Sequence, residues 1–297
     1  MKQIRSILAP TGLSDTDLPA LNYARLFADH FSARLTVIYS DSIVHPVDFG
    51  TPADGYFITV TPEHREQLRV EVERQTAPIM QGRPFEIQVA AGHPAQTILA
   101  VAESGEVDLI VMGTHLRRGW RRAILGSVSN GVLHGARCPV LTVSGQDRHT
   151  ARESGVVSLI VCPVNFSDVA KESLRTAAFL ANAFGAKLVI IHVIERDAVE
   201  TAADSADKIR QWIDPEVQAL VSYRPLIVAG GAAERVLDSA EELGADLLVV
   251  GAQHRIFRDA TVIGTTTERL IRFSSCPVLV VPRSAHEDGE NVQTREE

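Results

Sequence analysis

Two short runs place glycines and hydroxyls where a phosphate could be held. Gly113-Thr114-His115 follows the apolar run "LIVM", and Gly126-Ser127-Val128 opens a later helical stretch. Glycine lets a backbone come close to an anion. A helix N-terminus offers N–H groups and partial positive charge, and Ser127 adds a hydroxyl. Between the runs, "RRGWRR" supplies Arg117, Arg118, Arg121 and Arg122, with Arg117 the first basic residue after the turn. Pro10-Thr11-Gly12, after the first apolar run, is the third candidate loop of this edge. The same residues also fit a plainer role: tight strand–helix turns, Ser127 as an N-cap, the arginines as a solvated loop and Trp120 as packing.

The constellation occurs twice. Pro163-Val164-Asn165, Gly251-Ala252-Gln253 and Gly264-Thr265-Thr266 stand at the corresponding places of a second half. "SILAPTGLSD" at 6–15 returns as "LIVCPVNFSD" at 159–168, an offset of 153. "VDLIVMGTH" at 107–115 returns as "ADLLVVGAQ" at 245–253, and "ARCPVLTVS" at 136–144 as "SSCPVLVVP" at 274–282, both offset by 138. A period this long means two whole domains, not a solenoid of short repeats. The domains are expected at 1–143 and 157–283, joined by a polar linker over 144–156 and followed by an acidic, disordered tail over 284–297. The first copy carries about 15 extra residues, read at 41–61 as a long loop that is either functional or a tolerated insertion.

The elements that must position these loops are legible as patterns. Strands are expected near 4–9, 34–40, 85–91, 107–112 and 139–143, then near 157–162, 186–193, 225–229, 245–250 and 277–281. They are continuous apolar runs, as in parallel sheets covered on both faces. Between them, Leu18, Leu21, Ala24, Ala28 and Phe31 form one apolar helical stripe, and Leu174, Ala177, Ala181 and Phe184 another. Ser14 and Ser167 suit N-caps, with Asp15 and Asp168 favouring the helix starts electrostatically. The fold class is therefore α/β, with two tandem, doubly wound, five-stranded parallel-sheet domains. Ligands of such sheets bind beyond the carboxyl ends of the strands, where the strand order reverses. The apolar runs 140–143 and 278–281 end their domains, and these edges are expected to pair antiparallel within one chain.

Bulk properties exclude several classes. A net charge of −8 gives no general attraction to nucleic acid or anionic membrane. No apolar run approaches a membrane span and no signal peptide is apparent, so a cytoplasmic location is expected. Cys138, Cys162 and Cys276 form no C-x-x-C pair and read as small buried hydrophobes. His93 and His115 are too few ligands for zinc, so no metal is expected. No catalytic motif appears, so no enzyme is expected.

The run "ILAPTGLSD", the block "GTHLRRGWRRAILGSVS" and the ending "CPVLTV" resemble the universal stress protein family, in both halves. The resemblance implies a Rossmann-like fold of the adenine nucleotide alpha hydrolase type. It implies two halves paired as a single-chain version of the family dimer, with a homodimer of the whole chain left open. It also implies ATP bound through G-x2-G-x9-G-[ST]. Gly113, Gly126 and Ser127 fit that motif, as do Gly251, Gly264 and Thr265, but Leu116 and His254 replace its second glycine. The aspartate usual after the first strand is Gly12 in one half and Asn165 in the other. The expected function is a stress-response regulator that binds an adenine nucleotide without substantial turnover. The alternatives are a protein-interaction module with degenerate sites and a slow nucleotide hydrolase. Four arginines in the first half stand against Arg255 and Arg258 beside Asp259 in the second, so charge places the expected single site in residues 1–143.

Overall fold

The computed structural model describes residues 3–42, 61–114, 125–144, 156–194, 201–252 and 263–283. His115, Leu116, Arg117, Arg118, Trp120, Arg121, Arg122, Gln253, His254, Arg255, Arg258 and Asp259 lie outside them, with most of the 41–61 insertion, most of the linker and the tail. The first half runs β1 (Ser6–Thr11), α1 (Leu18–Phe31), β2 (Arg34–Asp41), α2 (Pro62–Met80), β3 (Glu86–Ala91), α3 (Pro94–Ser104), β4 (Leu109–Gly113), α4 (Ser127–Gly135), β5 (Val140–Val143). The second runs β6 (Leu159–Val164), α5 (Asp168–Phe184), β7 (Lys187–Ile194), α6 (Ala202–Trp212), α7 (Pro215–Leu220), β8 (Tyr223–Ala229), α8 (Ala232–Leu243), β9 (Leu247–Gly251), α9 (Thr265–Phe273), β10 (Val278–Val281).

The strands form one ten-stranded sheet in the order β3-β2-β1-β4-β5-β10-β9-β6-β7-β8. Every pairing is parallel except one. β5 and β10 meet antiparallel, with Leu279 opposite Leu141, Val278 opposite Thr142 and Val280 opposite Val140. This is the expected edge pairing, and Thr142 Oγ1 reinforces it by donating to the Val278 carbonyl (2.9 Å). Leu141 and Leu279 are fully buried, because they are inward-facing and covered by helices from both halves.

Each face of the sheet carries one apolar layer that crosses the junction. On one face α1 and α2 continue into α5, α6 and α7; on the other α3 and α4 continue into α8 and α9. The first layer is stitched between halves by aromatic rings. Phe31 lies edge-on to Phe184 at 5.5 Å and stacks on Phe179 at 5.9 Å. His30 stacks on Phe184 at 4.1 Å and donates from Nε2 to the Ala183 carbonyl at 3.0 Å. Phe31 and Phe184 are equivalent by the 153-residue offset, so the contact is a self-contact of the repeat.

Four strands begin two residues later than the apolar runs imply. The reason is an aspartate in each repeated block. Asp108 does not extend β4 but turns Oδ2 toward the start of β1, accepting from the amides of Arg5 (2.7 Å) and Ser6 (3.0 Å). Asp246 does the same for Ser158 (2.8 Å) and Leu159 (3.0 Å) at the start of β6. The helix starts also differ from expectation. Ser167 caps α5, its hydroxyl accepting from the Ala170 amide, and Asp168 lies in the first turn. In the first half the N-cap position falls to Asp17 instead, Ser14 lies upstream in a turn, and no acidic residue occupies the first turn of α1. Asp15 therefore does not serve the start of α1.

An unpaired apolar edge recruits another strand. Residues 1–144 expressed alone are therefore expected to self-associate through β5, as dimers or larger species in size-exclusion chromatography with light scattering. Leu141→Lys should reduce that association; a stable monomeric half would contradict the role given to this edge.

Candidate functional site

In the first half the strand order reverses between β1 and β4, and in the second between β6 and β9. The pairing across each reversal is short. β1 and β4 share only Ile7↔Leu109 and Leu8↔Ile110; β6 and β9 share only Ile160↔Leu247 and Val161↔Leu248. β1 and β6 nevertheless run on, still paired on their other side with β2 and β7 through Thr11 and Val164. Pro10-Thr11 and Pro163-Val164 are thus strand ends, not loops. The prolines explain the split. The Ser6 carbonyl faces β4, where it accepts from the Asp108 amide, so Pro10, four residues on, faces the same way. The Leu159 carbonyl faces β9, accepting from Asp246, and Pro163 follows suit. Proline has no N–H to give, so each ladder lapses there and the strands part into a crevice.

The crevice of the second half is a cavity of about 290 Å³. It gathers seven of the expected residues: Pro163, Val164, Asn165, Gly251, Gly264, Thr265 and Thr266. Its two sides differ. Toward β9 stand Gly251 and the start of α9; toward β7 and α8 the wall is apolar, with Ile191, Val193, Ala232 and Val236. α9 is capped by Gly264 with no side-chain acceptor, so Thr265 is the first helical residue and not the cap. The amides of its first turn have no intrahelical partners. Asn165 accepts with Oδ1 from the Ser167 amide (3.3 Å) and hydroxyl (2.7 Å), which fixes the loop after β6.

The crevice of the first half is smaller, about 120 Å³. Pro10, Thr11, Gly12, Gly113 and Val128 line it; Thr114, Gly126 and Ser127 do not. Thr114 is buried and its amide donates to the Val143 carbonyl (3.0 Å), so it serves the end of β5. Gly126 caps α4 without a side-chain acceptor, Ser127 is exposed, and the Gly126 amide donates to the Thr114 carbonyl (3.3 Å). Larger side chains narrow this crevice: Met112, Ile98 and Pro94 stand where the second half has Val250, Val236 and Ala232. One more residue enters it that the sequence reading overlooked. Asp17, 2% exposed, takes the place of Ala170. The same 153-residue offset that aligns "SILAPTGLSD" with its copy would have found it.

A second overlooked pair supports both crevices from behind. Ser129 Oγ donates to the Gly113 carbonyl (2.9 Å), and Thr267 Oγ1, at the equivalent place, to the Gly251 carbonyl (3.1 Å). These hydroxyls lock the first turn of α4 and α9 to the ends of β4 and β9. The cysteines take no part. Burial pushes the Cys138 and Cys162 thiols up to about 12, leaving them protonated and inert. Among the described residues no His, Cys, Asp and Glu cluster could hold a metal ion, and no helix is long and apolar enough to cross a membrane.

The sequence model of the universal stress protein family matches twice, at residues 3–144 and 158–282. The chain belongs to the universal stress protein family. A universal stress protein of Methanocaldococcus jannaschii is 33% identical over 140 residues, which is 47% of this chain and 81% of that protein. One from Mycolicibacterium smegmatis is 24% identical over 281 residues, 88% of this chain and 92% of that protein, so the tandem arrangement is shared along its length. Among solved structures, a universal stress protein from Archaeoglobus fulgidus superposes with a TM-score of 0.73 at 22% identity, covering 95% of this chain and all of that one. That likeness establishes the tandem doubly wound fold.

Removing the Ser129 hydroxyl leaves the buried Gly113 carbonyl short of a donor. Ser129→Ala is expected to lower unfolding stability by about 1–3 kcal/mol, measured by urea denaturation, and Ser129→Thr to restore part of it.

Proposed function

We infer that this universal stress protein binds one adenine nucleotide, ATP or a product of it, in the crevice of its second half. The observation that carries the reading is the 290 Å³ cavity at the β6/β9 reversal, closed by a glycine-capped helix start. Its size is near the lower end of small-molecule sites, about 300–1,000 Å³, whereas the 120 Å³ of the first half is well below it. The polarity of the walls supports an orientation. The phosphates lie toward Gly251, Gly264, Thr265 and Thr266, where backbone amides and two hydroxyls can donate. The flat apolar base lies toward Ile191, Val193, Ala232 and Val236, with the Asn165 amide nitrogen between the two ends. The charge-based expectation pointed to residues 1–143; cavity size and the presence of Asp17 favour the other half.

Among the described residues that line the crevice none is a nucleophile paired with a base, and the role we assign is binding and not turnover. We further take the protein to be a cytoplasmic stress-response regulator, with domains at 1–143 and 157–283 about the 144–156 linker. Titration calorimetry of the intact chain with ATP, ADP and AMP tests the reading. One equivalent should bind. Thr265→Ala combined with Thr266→Ala should weaken it at least tenfold, since each charge-assisted hydrogen bond is worth about 1.5–3 kcal/mol. Ser127→Ala should leave it unchanged. No binding by the unmodified chain would instead favour a protein-interaction module, and product accumulating in proportion to the protein would favour a slow hydrolase.

A further inference from the structure

The described linings of the two crevices differ in charge at one position. In the second half Ala170 leaves the floor of the crevice open; in the first, Asp17 fills it. Asp17 Oδ2 accepts from the Gly12 amide (2.8 Å), the Ser14 amide (3.3 Å) and the Ser14 hydroxyl (3.0 Å), with the Thr11 hydroxyl at 3.5 Å. Those donors belong to the loop that a ligand entering between β1 and β4 would meet first. The other carboxyl oxygen, Oδ1, reaches the opposite wall, lying 3.2 Å from where a Cβ on Gly113 would stand. At the matching glycine of the second half, Gly251, the nearest atoms belong to Val169, and no carboxyl group is present.

We propose that Asp17 is a specificity-determining residue, a built-in anion that occupies the phosphate end of the first crevice and closes it to phosphorylated ligands. The proposal rests on the phosphate orientation inferred above for the second half, carried over by the repeat. Its logic is that of one negative group standing where another would go. The carboxyl group takes the amides of the loop after β1 and lies against the turn at Gly113. It also shares the cavity with the first turn of α4, through Val128. A phosphate arriving there would meet a like charge a few ångströms away, in a site where water screens little. The duplication thus has one crevice open to anions and one that carries its own anion, a difference in charge set by a single lining side chain.

Reciprocal substitutions in the intact chain provide the test, with ATP and AMP as probes and binding stoichiometry by calorimetry as the readout. Asp17→Ala, which installs the residue of the second half, should raise the stoichiometry from one to two. Asp17→Asn, which keeps the shape and removes the charge, should give the second equivalent as well. Ala170→Asp should weaken the original site at least tenfold. Thermal melting of each variant separates these outcomes from unfolding. A chain that binds two equivalents before any substitution overturns the proposal. So does a folded Asp17→Ala or Asp17→Asn protein whose stoichiometry is unchanged. If the unmodified chain binds nothing while Asp17→Ala binds one equivalent, the assignment of the second half fails and the role of Asp17 stands. If Ala170→Asp binds as the unmodified chain does, the role of the carboxyl group fails and the assignment of the second half stands.

Discussion

The antiparallel contact between β5 and β10 organises everything else. Without it, each half is a five-stranded sheet with a largely apolar edge, Val140-Leu141-Thr142-Val143 in one case and Val278-Leu279-Val280-Val281 in the other. Joining them converts two vulnerable edges into the centre of one sheet. The self-pairing of Leu141 with Leu279, equivalent residues of the repeat, makes the contact isologous within a single chain. Phe31 against Phe184 repeats that relation one layer out. The two crevices are thereby held as near-symmetric images on a common scaffold. Differences between them must come from side chains and not from topology.

Those side chains divide into two sets. Some are the same in both halves and build the crevice: the prolines that end the β1–β4 and β6–β9 ladders, the aspartates that clamp the strand starts, and the hydroxyls of Ser129 and Thr267 behind the glycine turns. Others differ and decide what the crevice can hold. Ile98, Met112 and Asp17 narrow one; Val236, Val250 and Ala170 widen the other. A duplicated domain can keep its architecture while one copy loses its ligand, because the architectural residues and the selective ones are separate.

How much of this the sequence announces follows the same division. The ten strands and the β5–β10 pairing were legible, because buried parallel strands are continuous apolar runs and the repeat supplies each pattern twice. The strand starts at β1, β4, β6 and β9 were misplaced by two residues. Hydropathy sees Val107 and Ala245 but not the outward duty of Asp108 and Asp246. In the second half the glycine and hydroxyl residues expected at the site do come together. In the first, Thr114 and Ser127 do not line the crevice, since the burial of Thr114 against the end of β5 is a tertiary fact. Asp17 escaped for a different reason: an isolated acid near a helix start has a ready local explanation, and only the paired comparison with Ala170 reveals it as a side chain inside a cavity.

The position of β10 has a consequence for the order of events during synthesis. β5 is complete once residue 143 has been made, but its partner β10 begins only at residue 278. At about 5–20 residues per second, the first half waits on the order of ten seconds or more with its edge unsatisfied. Its own four-strand partners are all local, so it can fold during that wait; the pairing that completes the sheet cannot begin until Val278–Val281 have been made. Neighbouring nascent chains on one message present the same open edge to one another. The covalent tether then favours the correct partner, because the second copy arrives at high effective concentration and a stranger's does not. Fusing the two copies therefore does in time what pairing does in space: it narrows the interval in which the edge is free, and ties the end of that interval to the making of the chain itself.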